Sequence, residues 1–321
     1  MVLRPAPELP AKHAEWTVWS VAASLVVEKP GALSAARALA DEVLRGVGAA
    51  CDRFDPGSEL SRLADDPVAR NGVRVSPLLA ELVTTALLVA AQTDGSVDPT
   101  LGFELARWGY DRDIDRLPPA EQPMSPDAAV TVSAVARRPQ WRDVELDGRV
   151  LTVPPHLRLD LGATAKAFTA DRIAARVAGE LDTAVLVSLG GDIATAGRSG
   201  RGGWEVVVRD RETDPSQQVF LPDGSAIATS STQKRRWVHE GRVYQHILDP
   251  AFGAPVIPAW RSATVAATDC VTANAFSTAA IVRGRAAPAW LAERGATARL
   301  VDLEGRVVTT AGWPDPGEGA S

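Results

Sequence analysis

Five short segments, spread along the whole chain, place small and polar residues where an ordinary core segment would place bulk. Glycine in such segments allows the backbone to turn tightly or to approach a ligand closely. The segments are FDPGSELSRL at 54–63, DGSVDPTLGFELARWGY at 94–110, LDLGATAKAFTADRIA at 159–174, VLVSLGGDIATAG at 185–197, and YQHILDPAFG at 244–253 with its sequel ANAFSTAAIVRG at 273–284. Because each is a weak signal alone, their order along the chain is the informative feature.

The remaining sequence mixes strand-like runs with separate helical runs. The Val-rich segment 17–27 predicts one strand, and 157–161 predicts another strand just before the helical run 163–180. Residues 297–310 predict a hairpin. Because the regular strand–helix alternation of a doubly wound sheet is missing, we predict an α+β fold. It would have two closely joined lobes, with largely antiparallel sheets and flanking helices.

Proline and charge suggest where the folded part begins and ends. Residues 1–14 are Pro-rich and polar, which predicts a flexible N-terminal tail. Residues 111–140 contain five prolines and many charges, which predicts a variable connector. We therefore expect the folded domain over 15–312, followed by a C-terminal tail at 313–321.

Composition places the chain of 321 residues, 45% hydrophobic and 23% charged, among ordinary globular proteins. The formal net charge of −6 disfavours a broad nucleic-acid surface, so we expect no nucleic-acid partner. The N-terminal residues show no apolar signal-peptide core, and no apolar run is long enough to span a bilayer. We expect a cytoplasmic protein without a direct membrane segment.

The segment from Asp160 to Lys166 carries a carboxylate, a turn of small residues and the start of a helix. A helix N-terminus attracts phosphate, and Lys166 adds positive charge at the same place. The plainer alternative is that Asp160 caps the helix and Lys166 is solvated. Gly190 and Gly191, before Asp192, permit a tight backbone excursion, although a diglycine taken alone is more often a simple turn.

Two further groups of polar residues could take part in chemistry. His246, one of four histidines, is followed by Asp249 and could serve as a general acid or base, although a lone strand histidine is more often structural. Asn274 and Thr278 share one face if 272–283 is helical, and could then converge on one ion. Mg²⁺ prefers such hard oxygen ligands. The alternative is that both side chains cap the helix or face solvent.

Together the segments resemble the FAD:protein FMN transferases, the ApbE family. Residues 160–167 are similar to that family's D-L-G-x-x-A-K-G signature, with Ala167 in place of the last glycine. The resemblance implies that Asp160 and Lys166 face FAD and that the main-chain carbonyl of Ala163 contributes to a magnesium site. Residues 246–253 are similar to H-x-I-D-P-x-T-G, with Phe252 at the threonine position.

Further matches complete the implied site. Asn274 and Thr278 match the family's A-D-x-x-x-T metal signature, with an amide in place of the acidic ligand, so weaker Mg²⁺ binding is expected. Phe54 stands where the family has an aromatic residue that stacks on a flavin or adenine ring. The family's G-x-x-D-x-T-x-G stretch, which lies along the bound FAD, is matched by Ser96, Val97 and Asp98.

Three further departures from the family pattern are visible. Glu15-Trp16-Thr17 stands where the family has Met-Gly-Thr, Ser188 replaces an asparagine, and Ser231 replaces a glycine. The basic run 234–236 follows Ser231 and could equally meet phosphate or form a solvated turn.

The resemblance implies a T-fold-like, Mg²⁺-dependent transferase of a phosphorus-containing group. It would move FMN from FAD to a Ser or Thr hydroxyl of an acceptor protein and release AMP. The implied FAD-binding residues are Phe54, Ser96, Val97, Asp98, Asp160, Lys166 and His246. His246 and Asp249 would be the catalytic pair, and Ala163, Asn274 and Thr278 the metal ligands. The alternatives are an FAD pyrophosphatase, a non-catalytic FAD-binding protein, which Asn274 favours, and a fold kept without flavin.

Overall fold

The computed structural model describes residues 12–64, 66, 68–120, 140–209, 211, 216–310 and 312–314. The helices are α1 (Leu33–Cys51), α2 (Glu59–Ala64), α3 (Pro77–Gln92), α4 (Gly102–Arg107), α5 (Ala165–Leu181), α6 (Cys270–Arg283) and α7 (Ala287–Glu293). The strands of the N-terminal half are β1 (Lys12–Val18), β2 (Val21–Val27), β3 (Val73–Arg74), β4 (Glu145–Asp147) and β5 (Val150–Thr152). Those that follow are β6 (Val185–Leu189), β7 (Asp192–Ala196), β8 (Gly203–Val208), β9 (Gln217–Pro222), β10 (Ala226–Ser231), β11 (Arg236–His239), β12 (Arg242–Gln245), β13 (Leu248–Asp249), β14 (Ala254–Pro255), β15 (Trp260–Ala267), β16 (Thr297–Asp302) and β17 (Val307–Thr309).

One large sheet organises the fold. Within the described ranges it has eight strands in the order β1-β2-β6-β7-β10-β15-β16-β17, and every neighbouring pair is antiparallel. The other strands form the small sheets β3-β5-β4, β8-β9, β11-β12 and β13-β14. The expected α+β class with antiparallel sheets is confirmed, as is the hairpin expected over 297–310, which is β16 and β17.

Helices cover the large sheet in two groups. Helices α1, α3 and α5 pack with β2 and β6 in the larger apolar cluster, where Leu25, Leu79 and Ile173 are fully buried. Helices α6 and α7 pack on β15 and β16 around Ile281 and Leu291. Buried side chains recur at helical spacing, so each helix presents one apolar face. Helices α5 and α6 are in contact with each other, so both groups meet along one sheet.

The single strand expected over 17–27 is wrong, because β1 and β2 form a hairpin there. Trp19 and Ser20 make the two-residue turn with φ of 49° and 56°. Two-residue hairpin turns favour Asn and Gly because they require positive φ. This turn has neither residue, so its sequence does not signal it.

The ends of the folded part also differ slightly from expectation. Strand β1 begins at Lys12, so residues 12–14 belong to the sheet and not to a tail. At the other end Trp313 is buried, and its indole Nε1 donates to Gln217 Oε1 at 3.1 Å. Trp313 lies in a polar stretch near the end of the chain, where the composition conceals a packed side chain. Residues 1–11 and 315–321 lie outside the described residues.

Part of the expected connector packs on the fold. Pro119 forms an antiparallel bridge with Trp237, and the carbonyl of Pro118 accepts from the backbone N–H of Val238 at 2.9 Å. Residues 121–139 lie outside the described part of the chain. The domain bounds themselves stay a prediction.

The strand expected over 157–161 is also wrong. This segment is extended, but it makes only a single parallel bridge, between Leu101 and Arg158. The backbone N–H of Asp160 donates to the carbonyl of Pro99 at 2.8 Å. The segment therefore brings residues 98–101 next to the start of α5.

No helix in the described part of the chain has the length and apolar character that a membrane crossing needs.

Candidate active site

A cavity of about 860 Å³ is formed where four of the five segments meet. The β1–β2 hairpin and residues 229–235 complete its wall. Nine of the predicted site residues line this cavity: Ser96, Val97, Asp98, Asp160, Ala163, Lys166, His246, Asn274 and Thr278. Phe54 and Asp249 do not line it. The structure therefore brings together residues that lie as far apart in sequence as 96 and 278.

Asp192 joins two of these residues. It opens β7 directly after Gly190 and Gly191, whose φ values of 66° and 117° make a turn that favours glycine. The Asp192 side chain is buried, and its Oδ2 lies 2.8 Å from Lys166 Nζ while its Oδ1 accepts from Asn274 Nδ2 at 3.1 Å. The sequence analysis noted this aspartate but gave it no role. The nearest signal was its place after the diglycine.

Asn274 and Thr278 lie one turn apart on α6 and both line the cavity, as the helical spacing predicts. Asn274 Oδ1 is buried and has no hydrogen-bond partner among the described residues. Thr278 Oγ1 lies 2.8 Å from the hydroxyl of Ser230, which is also 2.9 Å from Ser277 Oγ. Ser230 is a cavity residue that sequence reasoning did not single out. The exposed-face alternative for Asn274 is excluded by its burial.

Helix α6 is held in place through its N-terminus. Asp269 caps the helix by accepting from the backbone N–H of Thr272 at 2.7 Å. Asp171, on α5, accepts from the backbone N–H groups of Cys270 and Val271 at 2.8 and 3.0 Å. Burial raises the pKa of Asp171 to about 6, although the two backbone hydrogen bonds act in the opposite direction. The helix that carries Asn274 is thereby attached to the helix that carries Lys166.

His246 reaches the cavity from a bend that its neighbour holds. Gln245 is fully buried, and its side chain donates to the carbonyl of Ile247 at 2.9 Å and accepts from the N–H of Ile247 at 2.6 Å. Both hydrogen bonds join Gln245 to Ile247, so they span residue 246 and hold the bend there. Gln245 was not singled out from the sequence, because a glutamine at a strand end has no distinctive signal.

The electrostatic surroundings of His246 favour its neutral form. Burial, followed by the charges of Arg235 and Lys166, lowers the pKa of His246 to about 3. Its Nδ1 is buried and makes no hydrogen bond with the residues that the structure describes. At neutral pH the imidazole is therefore uncharged and one of its two nitrogens can accept a proton.

The expected pairing of Asp249 with His246 is wrong. Asp249 Oδ1 accepts from the backbone N–H of Ala251 at 2.9 Å, and its main-chain carbonyl accepts from Phe252 and Gly253. The carboxylate thus shapes the tight turn between β13 and β14, as aspartate commonly does with a backbone N–H two residues on. Burial raises the pKa of Asp249, and no ionic partner explains the shift.

Asp160 lies at the edge of the cavity in an ion pair with Arg53. Asp160 Oδ2 is 2.6 Å from Arg53 Nε, and its Oδ1 accepts from the N–H of Gly162 at 2.7 Å. The helix-capping alternative does not hold, because Thr164 is the residue at the N-cap of α5. Lys166 is likewise not solvated, since it is paired with Asp192.

Phe54 lies beside a smaller pocket of about 110 Å³ that adjoins the cavity. The Arg53 guanidinium lies 4.1 Å from the Phe54 ring centroid, and the Tyr110 ring centroid is 5.4 Å away. Asp160 and Lys166 line both spaces. Part of the Phe54 ring is thus already covered by neighbours, and its stacking on a flavin or adenine ring stays a prediction.

Asp98 lines the cavity but uses its carboxylate within the protein. Its Oδ1 accepts from the N–H and the hydroxyl of Thr100 at 2.9 and 2.6 Å. Its Oδ2 accepts from the backbone N–H groups of Gln140 and Trp141 at 3.2 and 3.3 Å. Asp98 therefore shapes the loop that places Ser96 and Val97 on the cavity wall.

The basic run at 234–236 divides between cavity and fold. Lys234 and Arg235 line the cavity, and Arg235 Nη2 donates to the carbonyl of Trp19 at 3.1 Å. Arg236 begins β11 and is not part of the lining. With Lys166 these side chains give the cavity a positive wall. The run therefore follows a turn in which Lys234 is exposed, while Arg235 is partly buried against the cavity wall.

The candidate metal ligands are oxygen atoms of neutral groups. In the described ranges no group of three or more His, Cys, Asp or Glu side chains could hold a metal ion. The predicted ligands are the side-chain amide oxygen of Asn274, the hydroxyl of Thr278 and the main-chain carbonyl of Ala163. All three residues line the cavity. Hard oxygen donors of this kind fit Mg²⁺, and the buried, unpartnered Oδ1 of Asn274 is free to bind it.

Comparisons with known proteins identify one family. A profile of the ApbE family matches residues 16–301 of the chain. The chain is similar to the FAD:protein FMN transferase of Klebsiella pneumoniae, with 29% identity over 75% of this chain and 69% of that protein. It is also similar to the FAD:protein FMN transferase of Escherichia coli K12, with 28% identity over 65% of this chain and 60% of that protein. The match to the second relative therefore spans less than two thirds of its length.

Two solved structures have the same fold. The ApbE protein of Thermotoga maritima has a TM-score of 0.78 and 24% identity, over 94% of this chain and 97% of that one. The apo form of the Pseudomonas stutzeri flavinyl transferase ApbE has a TM-score of 0.75 and 22% identity, over 94% and 95% of the two chains. Since the family profile covers most of the sequence and these structures share its architecture, the chain belongs to the ApbE family.

Proposed function

We propose that the protein transfers FMN from FAD to a Ser or Thr hydroxyl of an acceptor protein and releases AMP. The observation that supports this is the convergence of Lys166, His246 and the Asn274–Thr278 pair on one cavity of about 860 Å³. That volume is in the range of small-molecule and cofactor sites. Family membership supports the same activity, because the curated relatives carry the name FAD:protein FMN transferase.

The reaction replaces the bridging anhydride oxygen on a phosphorus atom with an ester oxygen. The acceptor hydroxyl oxygen attacks the phosphorus of the FMN half of FAD and forms a phosphodiester bond. The bond from that phosphorus to the oxygen bridging the two phosphates breaks, and the electron pair leaves with AMP. The hydroxyl proton must be removed during the attack. In phosphoryl transfer, positioning of the reactants and neutralisation of the phosphate charge provide most of the catalysis.

His246 is the proposed acceptor of that proton. Its imidazole lines the cavity and is neutral at physiological pH, so a ring nitrogen can accept the proton. A base with a pKa of about 3 would be weak. A pyrophosphate anion beside the ring favours the charged form and raises the pKa toward the working pH. Asp249 is not part of this proposal, because its carboxylate binds the backbone of its own turn.

The positive wall of the cavity is proposed to hold the pyrophosphate. Lys166, Lys234 and Arg235 line the cavity, and Lys166 stands in the first turn of α5, where the helix dipole also favours an anion. Phosphate oxygens would compete with Asp192 for the Lys166 ammonium. Asp160 and Asp98 are proposed to keep their structural contacts and shape the walls that Ser96 and Val97 present to FAD.

Magnesium dependence is part of the proposal. The main-chain carbonyl of Ala163, the amide oxygen of Asn274 and the hydroxyl of Thr278 are the residues that would hold Mg²⁺. The ion would neutralise charge on the pyrophosphate and polarise the attacked phosphorus. Asn274 Oδ1 supports this assignment, because a buried oxygen without a partner is costly unless a ligand satisfies it.

Two alternatives use the same cavity. An FAD pyrophosphatase would have water in place of the acceptor hydroxyl, and a non-catalytic FAD-binding protein would lack a working metal site. The neutral amide at Asn274 is the observation that favours the second alternative. An acceptor carrying Ser or Thr, and a cytoplasmic location, both stay predictions.

The test measures AMP, FMN and labelled peptide by chromatography after incubation with FAD and a Ser- or Thr-containing acceptor peptide. We expect AMP release with flavin attached to the peptide in Mg²⁺, and neither product in EDTA. AMP with free FMN would indicate the pyrophosphatase. FAD binding without any AMP would indicate the binding protein. The His246→Ala variant is expected to keep FAD binding and to lose about 10²- to 10⁴-fold in transfer rate.

A further inference from the structure

The Asp192–Asn274 contact fixes which way the amide of Asn274 faces. Asn274 Nδ2 donates to Asp192 Oδ1 at 3.1 Å, and both side chains are at least nine-tenths buried. The opposite amide orientation would place a carbonyl oxygen against a carboxylate oxygen, which leaves both without a donor. The Oδ1 atom of Asn274 is therefore directed away from Asp192, and it meets no donor in the described structure.

Asp192 also carries a carboxylate charge in direct contact with that amide. Its two oxygens are used by different partners, Oδ1 by Asn274 and Oδ2 by Lys166 at 2.8 Å. Charge on a buried carboxylate is felt strongly at short range because little water screens it. Asp192 therefore compensates the Lys166 ammonium, whose unpaired charge would repel a cation bound by the neutral amide.

The neutral amide of Asn274 also suits its contact with the charged Asp192 carboxylate. An aspartate at position 274 would face the Asp192 carboxylate across a contact that is now 3.1 Å. Two buried carboxylates at that distance cannot both ionise without a cation between them. Asparagine at 274 avoids this conflict, and its Nδ2 satisfies the buried Asp192 oxygen.

We infer that Asp192 is a positioning residue of the cation site. It orients the Asn274 amide so that Oδ1 is left without a partner among the described residues, and its charge compensates the Lys166 ammonium beside the site. This inference rests on the proposed function, because it assumes the Mg²⁺ site of that proposal. Partners that orient a metal ligand typically change metal affinity by about 10- to 100-fold when they are removed.

The test is Mn²⁺ binding to the full chain, measured by electron paramagnetic resonance with the metal alone. We expect saturable binding to the wild-type protein and at least about tenfold weaker binding to Asp192→Asn. The exchange variant Asp192→Asn with Asn274→Asp is expected to recover affinity to within a few-fold, because it keeps one carboxylate and one amide. Asp41→Asn, a substitution on α1 away from the cavity lining, serves as the control and is expected to bind like wild type.

A second measurement covers the case in which Asp192→Asn fails to fold. The single variant Asn274→Asp is expected to melt at a lower temperature than wild type in EDTA and to gain more from added Mn²⁺. Equal Mn²⁺ affinity in wild type and Asp192→Asn, or an unchanged melting temperature of Asn274→Asp in EDTA, would overturn the inference and leave the proposed function standing. Absence of saturable Mn²⁺ binding to wild type would instead overturn the proposed cation site, and the inference with it.

Discussion

Arg53 Nε lies 2.6 Å from Asp160 Oδ2, and the two side chains are only 13% and 10% exposed. The Arg53 guanidinium also lies 4.1 Å from the ring centroid of Phe54 and 4.6 Å from that of Tyr110. This ion pair joins the loop after α1 to the segment that leads into α5. It therefore forms part of the wall between the cavity and the smaller pocket beside Phe54.

Removing one partner of this pair is expected to be costly. Arg53→Met leaves the Asp160 carboxylate nearly buried without its cation, which typically costs about 3–5 kcal/mol in the free energy of unfolding. Urea denaturation measures the loss. The matched control is Lys29→Met, which breaks the exposed pair with Asp182 and is expected to cost less than about 1 kcal/mol. Equal costs for the two variants would contradict the structural role assigned to Arg53.

The depressed pKa of His246 predicts a dependence of stability on pH. The unfolded histidine binds a proton below about pH 6.5, whereas the folded one does not until about pH 3. The unfolded state therefore binds more protons between these values, and stability falls as the pH falls through this window. We expect the wild type to lose about 1–2 kcal/mol more than His246→Gln between pH 7.5 and pH 5. Parallel pH profiles in urea denaturation would show that His246 is not buried as a neutral ring.

The raised pKa of Asp171 predicts the opposite slope. The folded carboxyl holds its proton up to about pH 6, above its ordinary value of 3.8, so the folded state binds more protons in that window. The contribution of Asp171 to stability is then fully present below pH 3.8 and lost as the pH rises to about 6. The stability of wild type relative to Asp171→Asn is expected to decrease from pH 4 to pH 7. A difference that stays constant over this range would contradict the shift.

Gln245 is expected to act on the reaction through His246. Gln245→Leu removes both hydrogen bonds to Ile247, so the bend at His246 loosens and the transfer rate falls by about 10- to 100-fold. FAD affinity, measured by flavin fluorescence, is expected to change little. In a His246→Ala background the same substitution should have no further effect on the rate. Additive losses would show that Gln245 supports the fold in general and not His246. Gln217→Leu, outside the cavity lining, is the control.

Much of the site could be predicted because short segments of the sequence resemble the motifs of a known family in the same order. Nine of the predicted residues line one cavity, and the helical spacing of Asn274 and Thr278 placed them on one face as expected. The helical period that places residues four apart on one face is set by the local sequence, so it can be predicted without knowing the tertiary fold. The same holds for the start of α5 after the glycine turn.

Pairings between distant segments could not be predicted in this way. Asp192 contacts Lys166 and Asn274 only because β7 lies beside both α5 and α6 in the fold. Asp249 was assigned to His246 on sequence proximity, but an aspartate followed by a tight turn binds that turn's backbone first. Arg53 was missed because a single arginine in a loop has no pattern that indicates an ion partner.

The most direct test of the proposed transfer is the intact mass of an acceptor protein incubated with FAD, Mg²⁺ and this protein. The account predicts a mass increase equal to FMN less one water. The increase should be absent from an acceptor whose target Ser or Thr is replaced by Ala, and strongly reduced at equal incubation time with the His246→Ala variant. An acceptor of unchanged mass, in a reaction where FAD is nevertheless cleaved to FMN and AMP, would contradict protein flavinylation as the function of this site.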